Sequence, residues 1–118
     1  MQNLNATVVM AQGILTFDDV KQIARTIATL DAQEQRRIVV DWLDVQWINP
    51  LAIGLLLARR HALVNQSGEL KFSRMRREVR DLFCKYQLDE LFENYATLED
   101  AIQSFDEEWA SDGETIVH

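Results

Sequence analysis

Residues 38 to 57 read IVVDWLDVQWINPLAIGLLL, and this stretch of sequence decides how the chain folds. Its first part, with Arg37 before it, makes the run Arg37 to Trp42, which is short and rich in apolar and β-branched residues, as is typical of a buried strand. Asn49-Pro50 follows, and Leu51 to Leu63 is rich in residues that favour a helix, with proline suited to the first helical turn. The stretch therefore predicts a buried strand, a loop and a helix in succession.

The same alternation of strands and helices continues on both sides. Upstream, a strand over residues 6 to 11 stops at Gly13, and an amphipathic helix runs to about Leu30 behind the caps Thr16, Asp18 and Asp19. Downstream, the patterns predict a strand at Glu69 to Ser73, a helix at Arg76 to Tyr86, a last strand at Leu91 to Tyr95, and a final helix from the capping box Thr97 to Asp100 through about Trp109. We expect an α/β fold: a four- or five-stranded, mostly parallel sheet covered by about four helices.

Length and charge favour one domain with an acidic end. A chain of 118 residues is the usual size of a single domain, which we place at residues 1 to 110. Seven acidic residues and no Lys or Arg lie after Leu98, and we expect residues 111 to 118 to form a flexible acidic tail. The overall net charge is −7, so the chain before this end is close to neutral.

The sequence lacks the residues that several classes of functional site require. The single cysteine, Cys84, has no identifiable base beside it and is expected to pack in the core, and His61 and His118 lie too far apart to begin a metal site. The glycines are scattered rather than gathered into a phosphate loop, and no apolar run is long enough to cross a bilayer. We therefore expect a cytoplasmic protein that is not membrane-embedded, with no catalytic site, metal, cofactor or nucleic-acid partner.

Two features leave alternatives open. A basic segment, made up of Lys71, Arg74, Arg76, Arg77, Arg80 and Lys85, could bind phosphate groups or an acidic partner, although a solvated helix face is the simpler interpretation. Trp42 and Trp47 flank the end of the middle strand, where a tryptophan either anchors a protein contact or packs against the sheet. Asp18, Asp19, Asp41 and Asp44 are expected to serve caps and turns rather than acid–base chemistry.

The order of elements and several strings resemble the STAS family, which includes bacterial anti-sigma factor antagonists and domains attached to sulfate transporters. The resemblance rests on residues 38 to 57, on the strand at Ser67 to Phe72, and on the tail strings LDELF at 88–92 and LEDAI at 98–102. Family members generally have one more strand at the front, where only Met1 to Asn5 precede Ala6 here. The first hairpin is therefore expected to be short or missing, which would leave an open sheet edge.

The loop before the second helix departs from the family pattern, which runs aspartate, serine, serine or threonine, glycine, an apolar residue and glycine. Here the corresponding residues are Asn49, Pro50, Leu51, Ala52, Ile53 and Gly54. In partner-switching relatives a kinase phosphorylates the hydroxyl residue of this loop, and neither Pro50 nor Leu51 has a hydroxyl group. Asn49 can still cap the helix, and Gly54 is expected to permit close packing.

The resemblance implies a regulatory protein-binding module without phosphorylation at the usual position. Its expected partner is an anti-sigma factor or a kinase-like regulator; the alternative is an accessory role in a membrane transporter complex, with its ATPase as the partner. A homodimer through the open sheet edge is a third possibility. The residues expected to contact the partner are Thr16, Asp18, Trp47, Asn49, Pro50, Leu51 and Ile53.

Overall fold

The computed structural model describes residues 6 to 106 and places them around one parallel sheet. The strands lie across the sheet in chain order: β1 Thr7–Leu15, β2 Arg37–Ile48, β3 Glu69–Ser73 and β4 Asn94–Tyr95. The helices are α1 Phe17–Ala32, α2 Ile53–Asn65, α3 Arg77–Lys85 and α4, residues 98–106, and 3-10 turns lie at Pro50–Ala52 and Asp89–Leu91. Four parallel strands and four helices confirm the predicted α/β fold.

The core is divided between the two faces of the sheet because side chains along a strand alternate in direction. Val40 and Trp42 of β2 belong to a large cluster that α1, α2 and α3 cover. Val39 points the other way and packs with Ala101 and Phe105 of α4. β2 is thus covered on both faces, which explains its continuous apolar sequence.

An aromatic group holds α3 and the segment after it against the sheet. Phe72 of β3 stacks on Phe92 with ring centroids 4.5 Å apart, and Trp42 lies 4.9 Å from Phe72. Phe83 of α3 completes the group edge-on to Trp42, at 5.7 Å. Such ring pairs add to the stability that their burial already provides, by about 0.5–1.5 kcal/mol each.

β1 and β2 both continue past their predicted ends. The prediction that β1 stops before Gly13 is wrong, because Gly13 adopts a φ of 84° at a register irregularity and the pairing then resumes. Beyond it, Ile14 lies opposite Trp47 and Leu15 lies opposite Ile48. β-Bulges of this kind insert a residue and bend a strand without ending it.

Cys84 does not pack in the core as predicted. It is exposed on α3, and its neighbour Phe83 occupies the buried position of that helix turn. Partial removal from water raises the pKa of the Cys84 thiol, and the carboxylates of Asp89 and Asp81 raise it further. The reactive thiolate form is therefore disfavoured.

The basic segment does not form one continuous surface. Lys71 is buried beneath α4, where its Nζ donates to Ser104 Oγ at 2.8 Å. The guanidinium of Arg74 pairs with Asp41, and Nε of Arg76 donates to a main-chain carbonyl of β2 at 2.9 Å. The remaining members are exposed on α3: Arg77, Arg80 and Lys85. The scattered positions of these side chains favour the interpretation as a solvated helix face over that as a phosphate-binding site.

The last described helix, α4, begins at the predicted position. The N–H of Asp100 donates to Thr97 Oγ1 at 3.0 Å, which caps α4. The predicted end of this helix at Trp109 and the predicted tail at 111–118 lie outside the described residues. Within residues 6–106, no helix is both long and apolar enough to cross a membrane.

Candidate functional site

The carboxyl ends of β1 and β2 meet side by side, and most of the predicted contact residues lie at this junction. Leu15 is paired with Ile48, and the N–H of Asn49 donates to the C=O of Leu15 at 2.9 Å. Thr16 and Asn49 follow these two strand ends directly, so α1 and the Pro50–Ala52 turn start from neighbouring positions. In parallel α/β sheets this edge is the usual place for binding residues.

Asn49 shapes the loop through its side chain. Its Oδ1 accepts a hydrogen bond from the N–H of Leu51 at 3.0 Å, and its main-chain oxygen accepts from the N–H of Ala52 at 2.9 Å. Pro50 occupies the first position of the turn, where a missing N–H costs nothing. The loop is therefore closed by its own residues, as the capping role of Asn49 predicts.

Thr16 and Asp19 form a reciprocal cap at the start of α1. The N–H of Asp19 donates to Thr16 Oγ1 at 3.2 Å, and the N–H of Thr16 donates to Asp19 Oδ2 at 3.0 Å. The Thr16 main-chain and hydroxyl donors lower the pKa of the Asp19 carboxyl. Asp18 lies in the same first turn with an exposed side chain.

Several large apolar side chains are exposed around this junction. Leu51 is 82% exposed at the tip of the loop, and Trp47 is 39% exposed on β2. We call the following residues the strand-end surface: Ile14, Thr16, Phe17, Asp18, Trp47, Asn49, Pro50 and Leu51. Exposed apolar residues gathered among polar ones commonly mark a protein contact.

Ile53 does not belong to the strand-end surface. Its side chain is fully buried in the main core, although it was among the residues expected to touch a partner. Gly54 follows it on the outer side of α2, where an added Cβ would meet nothing within 4 Å. The expectation that Gly54 permits close packing is therefore wrong for this chain.

The two tryptophans have opposite environments. Trp42 is fully buried among the aromatic rings, and its Nε1 has no hydrogen-bond partner within residues 6–106. Trp47 is partly exposed beside Ile14 of the neighbouring strand. Trp42 thus packs in the core, whereas Trp47 is accessible, and its contact with a partner stays a prediction.

Ile14 and Phe17 were not predicted as part of the surface. Ile14 is 59% exposed and Phe17 is 41% exposed. The sequence signal was present, since Ile14 and Leu15 alternate in direction if the strand continues beyond Gly13. A strand that is predicted to stop at Gly13 places Ile14 outside the sheet. Phe17, just inside the capped helix, then has no predicted neighbour with which to form a surface.

A buried carboxylate lies in the middle of β2, opposite Met10 of β1 and Ser73 of β3. Asp41 accepts hydrogen bonds from Ser73 Oγ at 3.0 Å and from Arg74 Nε and Nη2 at 2.9 and 2.7 Å. Burial alone raises the pKa of Asp41, but these donors and the charge of Arg74 outweigh it and hold the pKa below its ordinary value. Asp41 was expected to serve a turn, and instead it joins the middle of β2 to the end of β3.

Four parallel strands with helices on both faces define a small α/β domain, and an accessible surface lies at the carboxyl ends of β1 and β2. A family model of the STAS domain matches residues 2 to 101, so the chain belongs to the STAS domain family. A comparison with curated protein sequences finds no significant match.

Solved structures of the family have the same fold. The anti-sigma factor antagonist SpoIIAA in its unphosphorylated form is 24% identical, with a TM-score of 0.74 over 86% of this chain and 88% of that one. The phosphorylated form of SpoIIAA from Bacillus is also 24% identical, with a TM-score of 0.65 over 86% and 91%. The STAS domain of a SulP transporter from Vibrio cholerae is 15% identical, with a TM-score of 0.69 over 91% and 85%.

Proposed function

We propose that this chain is a non-enzymatic regulatory module that binds a protein partner through the strand-end surface. The observation that carries the proposal is Leu51, a leucine with 82% of its surface exposed at the tip of a loop that Asn49 holds in place. Leaving so large an apolar side chain in water has a cost that burial in a partner would recover, by about 1.5–3 kcal/mol for a leucine. The partner class is an anti-sigma factor or a related kinase-like regulator, by analogy with SpoIIAA.

The binding is expected to be constitutive. Pro50 and Leu51 occupy the loop positions at which the family pattern has hydroxyl residues, and neither side chain can be phosphorylated. The hydroxyl group beside the loop is already engaged, since Thr16 Oγ1 donates to Asp19, and Ser73 Oγ, at the end of β3, likewise donates to Asp41. These contacts support a surface whose charge stays constant.

The first experiment is affinity purification of the tagged chain from its own organism, comparing wild type with Leu51→Asp. The variant places a charge where the apolar contact is proposed, so we expect it to lose the partner by at least about tenfold. Val64→Asp is the matched control, because Val64 is another exposed apolar residue of the same region of chain, near the far end of α2.

Mass spectrometry of the captured proteins then decides the partner class. A sigma-regulatory kinase that is retained by Val64→Asp and lost by Leu51→Asp supports the proposal. Equal loss in both variants, or equal retention, would show that the strand-end surface is not the binding site. The identified regulator would then be purified so that its affinity for each variant can be measured directly.

A second candidate function is that of an accessory subunit in a membrane transporter complex. The observation in its favour is the structural similarity to the STAS domain of a SulP transporter. In this case the same surface would dock on a transporter ATPase. Recovery of such an ATPase in place of a sigma-regulatory kinase, with the same sensitivity to Leu51→Asp, would establish the second candidate over the first.

A further inference from the structure

β1 is the edge strand of the sheet within the described residues. It pairs with β2 alone, so one row of its main-chain N–H and C=O groups faces away from the sheet. Its nine residues make it far longer than β4, which has two and forms the other edge. A short edge strand offers little to a second chain, whereas a long one is a template for strand pairing.

The sequence of β1 lacks the charges and the proline that often protect an edge. It reads TVVMAQGIL, with no charged residue and no proline. Its register irregularities lie between Met10 and Ile14, so the first half, Thr7 to Met10, pairs regularly with β2. Bulges twist an edge away from neighbours, and here they lie beyond this regularly paired first half.

The side chains of this half are incompletely buried on both faces. Val8 and Val9 are only partly buried and Met10 is 59% exposed. Their partners across the sheet, Val39 and Val40 of β2, are fully buried. A further strand beside β1 would complete the burial of these apolar side chains, as β1 does for β2.

We propose that a second copy of this chain supplies that strand, through antiparallel pairing of residues 6 to 10 about a twofold axis. An isologous contact of this type places β1 beside its own copy, and because the strand is uncharged no like charges are opposed. The two sheets would then join into one continuous sheet of eight strands. The strand-end surface of each copy plays no part in this pairing.

The direction of the side chains sets the register. Residues that face each other in an antiparallel pair point to the same face of the sheet, so they are separated by an even number of positions along the strand. The twofold axis therefore lies at a residue, and that residue faces its own copy. With Val8 at the axis, the pairing uses only the regular half of β1. Met10 then faces the small side chain of Ala6 in the second copy, and Thr7 faces Val9.

The test is sedimentation velocity across a concentration series, with wild type compared with Met10→Lys. Lysine on an edge strand disfavours pairing, and Met10 is exposed enough for the fold to tolerate it. We expect wild type to dimerise reversibly and Met10→Lys to weaken the dimer at least about tenfold. Val64→Lys, a matched exposed position on α2, should dimerise like wild type.

Cysteine cross-linking tests the register in a Cys84→Ser background. Val8→Cys should form a disulfide between copies under mild oxidation, because position 8 faces itself, whereas Val9→Cys points to the opposite face and faces Thr7. A wild-type chain that stays monomeric at every concentration overturns the proposal, and so does equal cross-linking at positions 8 and 9. Leu51→Asp should leave the dimer intact, which separates this result from the partner-binding proposal.

Discussion

At the scale of single residues, the most constrained side chain is the carboxylate of Asp41. It is fully buried, and three donors from Ser73 and Arg74 surround it. A buried carboxylate is stable only when its charge is paired and its oxygens accept hydrogen bonds. Asp41 therefore serves as a link between β2 and β3.

The depressed pKa of Asp41 predicts a pH dependence of stability. Because the folded-state pKa is below the unfolded value of about 3.9, the stabilisation is fully present above that value and is lost as the pH falls through the folded-state pKa. We expect Asp41→Asn to unfold at lower urea concentration than wild type at pH 7. The difference should shrink as the pH is lowered below about 4.

Urea unfolding followed by circular dichroism at pH 7 and pH 3 measures this effect. Asp81→Asn is the control, since Asp81 has an exposed side chain on α3, away from the ion pair, and its replacement should change stability little. A constant gap between wild type and Asp41→Asn at both pH values would contradict the assigned role of the ion pair.

At the scale of secondary-structure elements, two glycines have opposite roles. Gly13 lies inside β1 with a φ of 84°, a left-handed conformation that other residues adopt only with strain. Gly54 lies in the first turn of α2 with open space around its Cα. The irregular end of β1 thus requires its glycine, whereas the helix is weakened by its own.

Alanine at each position should therefore change stability in opposite directions. We expect Gly13→Ala to lower the free energy of unfolding by about 1–2 kcal/mol. Gly54→Ala should raise it by up to about 1 kcal/mol, because alanine loses less conformational freedom in a helix. Chemical denaturation of the two variants checks both signs, and each serves as the control for the other; destabilisation by both would contradict the assignment for Gly54.

At the scale of the whole molecule, α4 is the cover of the second sheet face. Phe105 and Ala101 pack on Val39, and Lys71 Nζ lies 4.5 Å from the centre of the Phe105 ring. The Lys71 ammonium also forms an ion pair with Glu93 at 3.3 Å. A buried lysine in these surroundings ties the position of α4 to the stability of the sheet beneath it.

Phe105→Ala should therefore destabilise the entire domain rather than α4 alone. We expect a loss of about 3–5 kcal/mol, as for other large-to-small changes of buried aromatic residues. Hydrogen exchange should show reduced protection in β2 and β3 as well as in α4. Gln103→Ala, at an exposed position of the same helix, is the control; loss of protection confined to α4 would show that this helix opens independently.

Local patterns in the sequence were sufficient for most of the elements. β3 is found at Glu69–Ser73 as predicted, α1 begins behind Thr16, and Asn49 caps the turn before α2. These features depend on residues within a few positions of one another, so their periodicity and capping chemistry are visible in the chain itself. The family resemblance, which the match to the STAS domain model confirms, rests on the same order of elements.

The sequence by itself thus determined the α/β class, the order of its elements and the loop residues that lack a hydroxyl group. Only the tertiary structure decided that β1 continues past Gly13, that Ile53 is buried while Leu51 is exposed, and that Arg74 pairs with Asp41, 33 residues away. The physical reason is that bulges, burial and ion pairs depend on what a neighbouring strand or helix places opposite each residue. Contacts of that kind are set by the packed fold and leave no periodic signal in the chain.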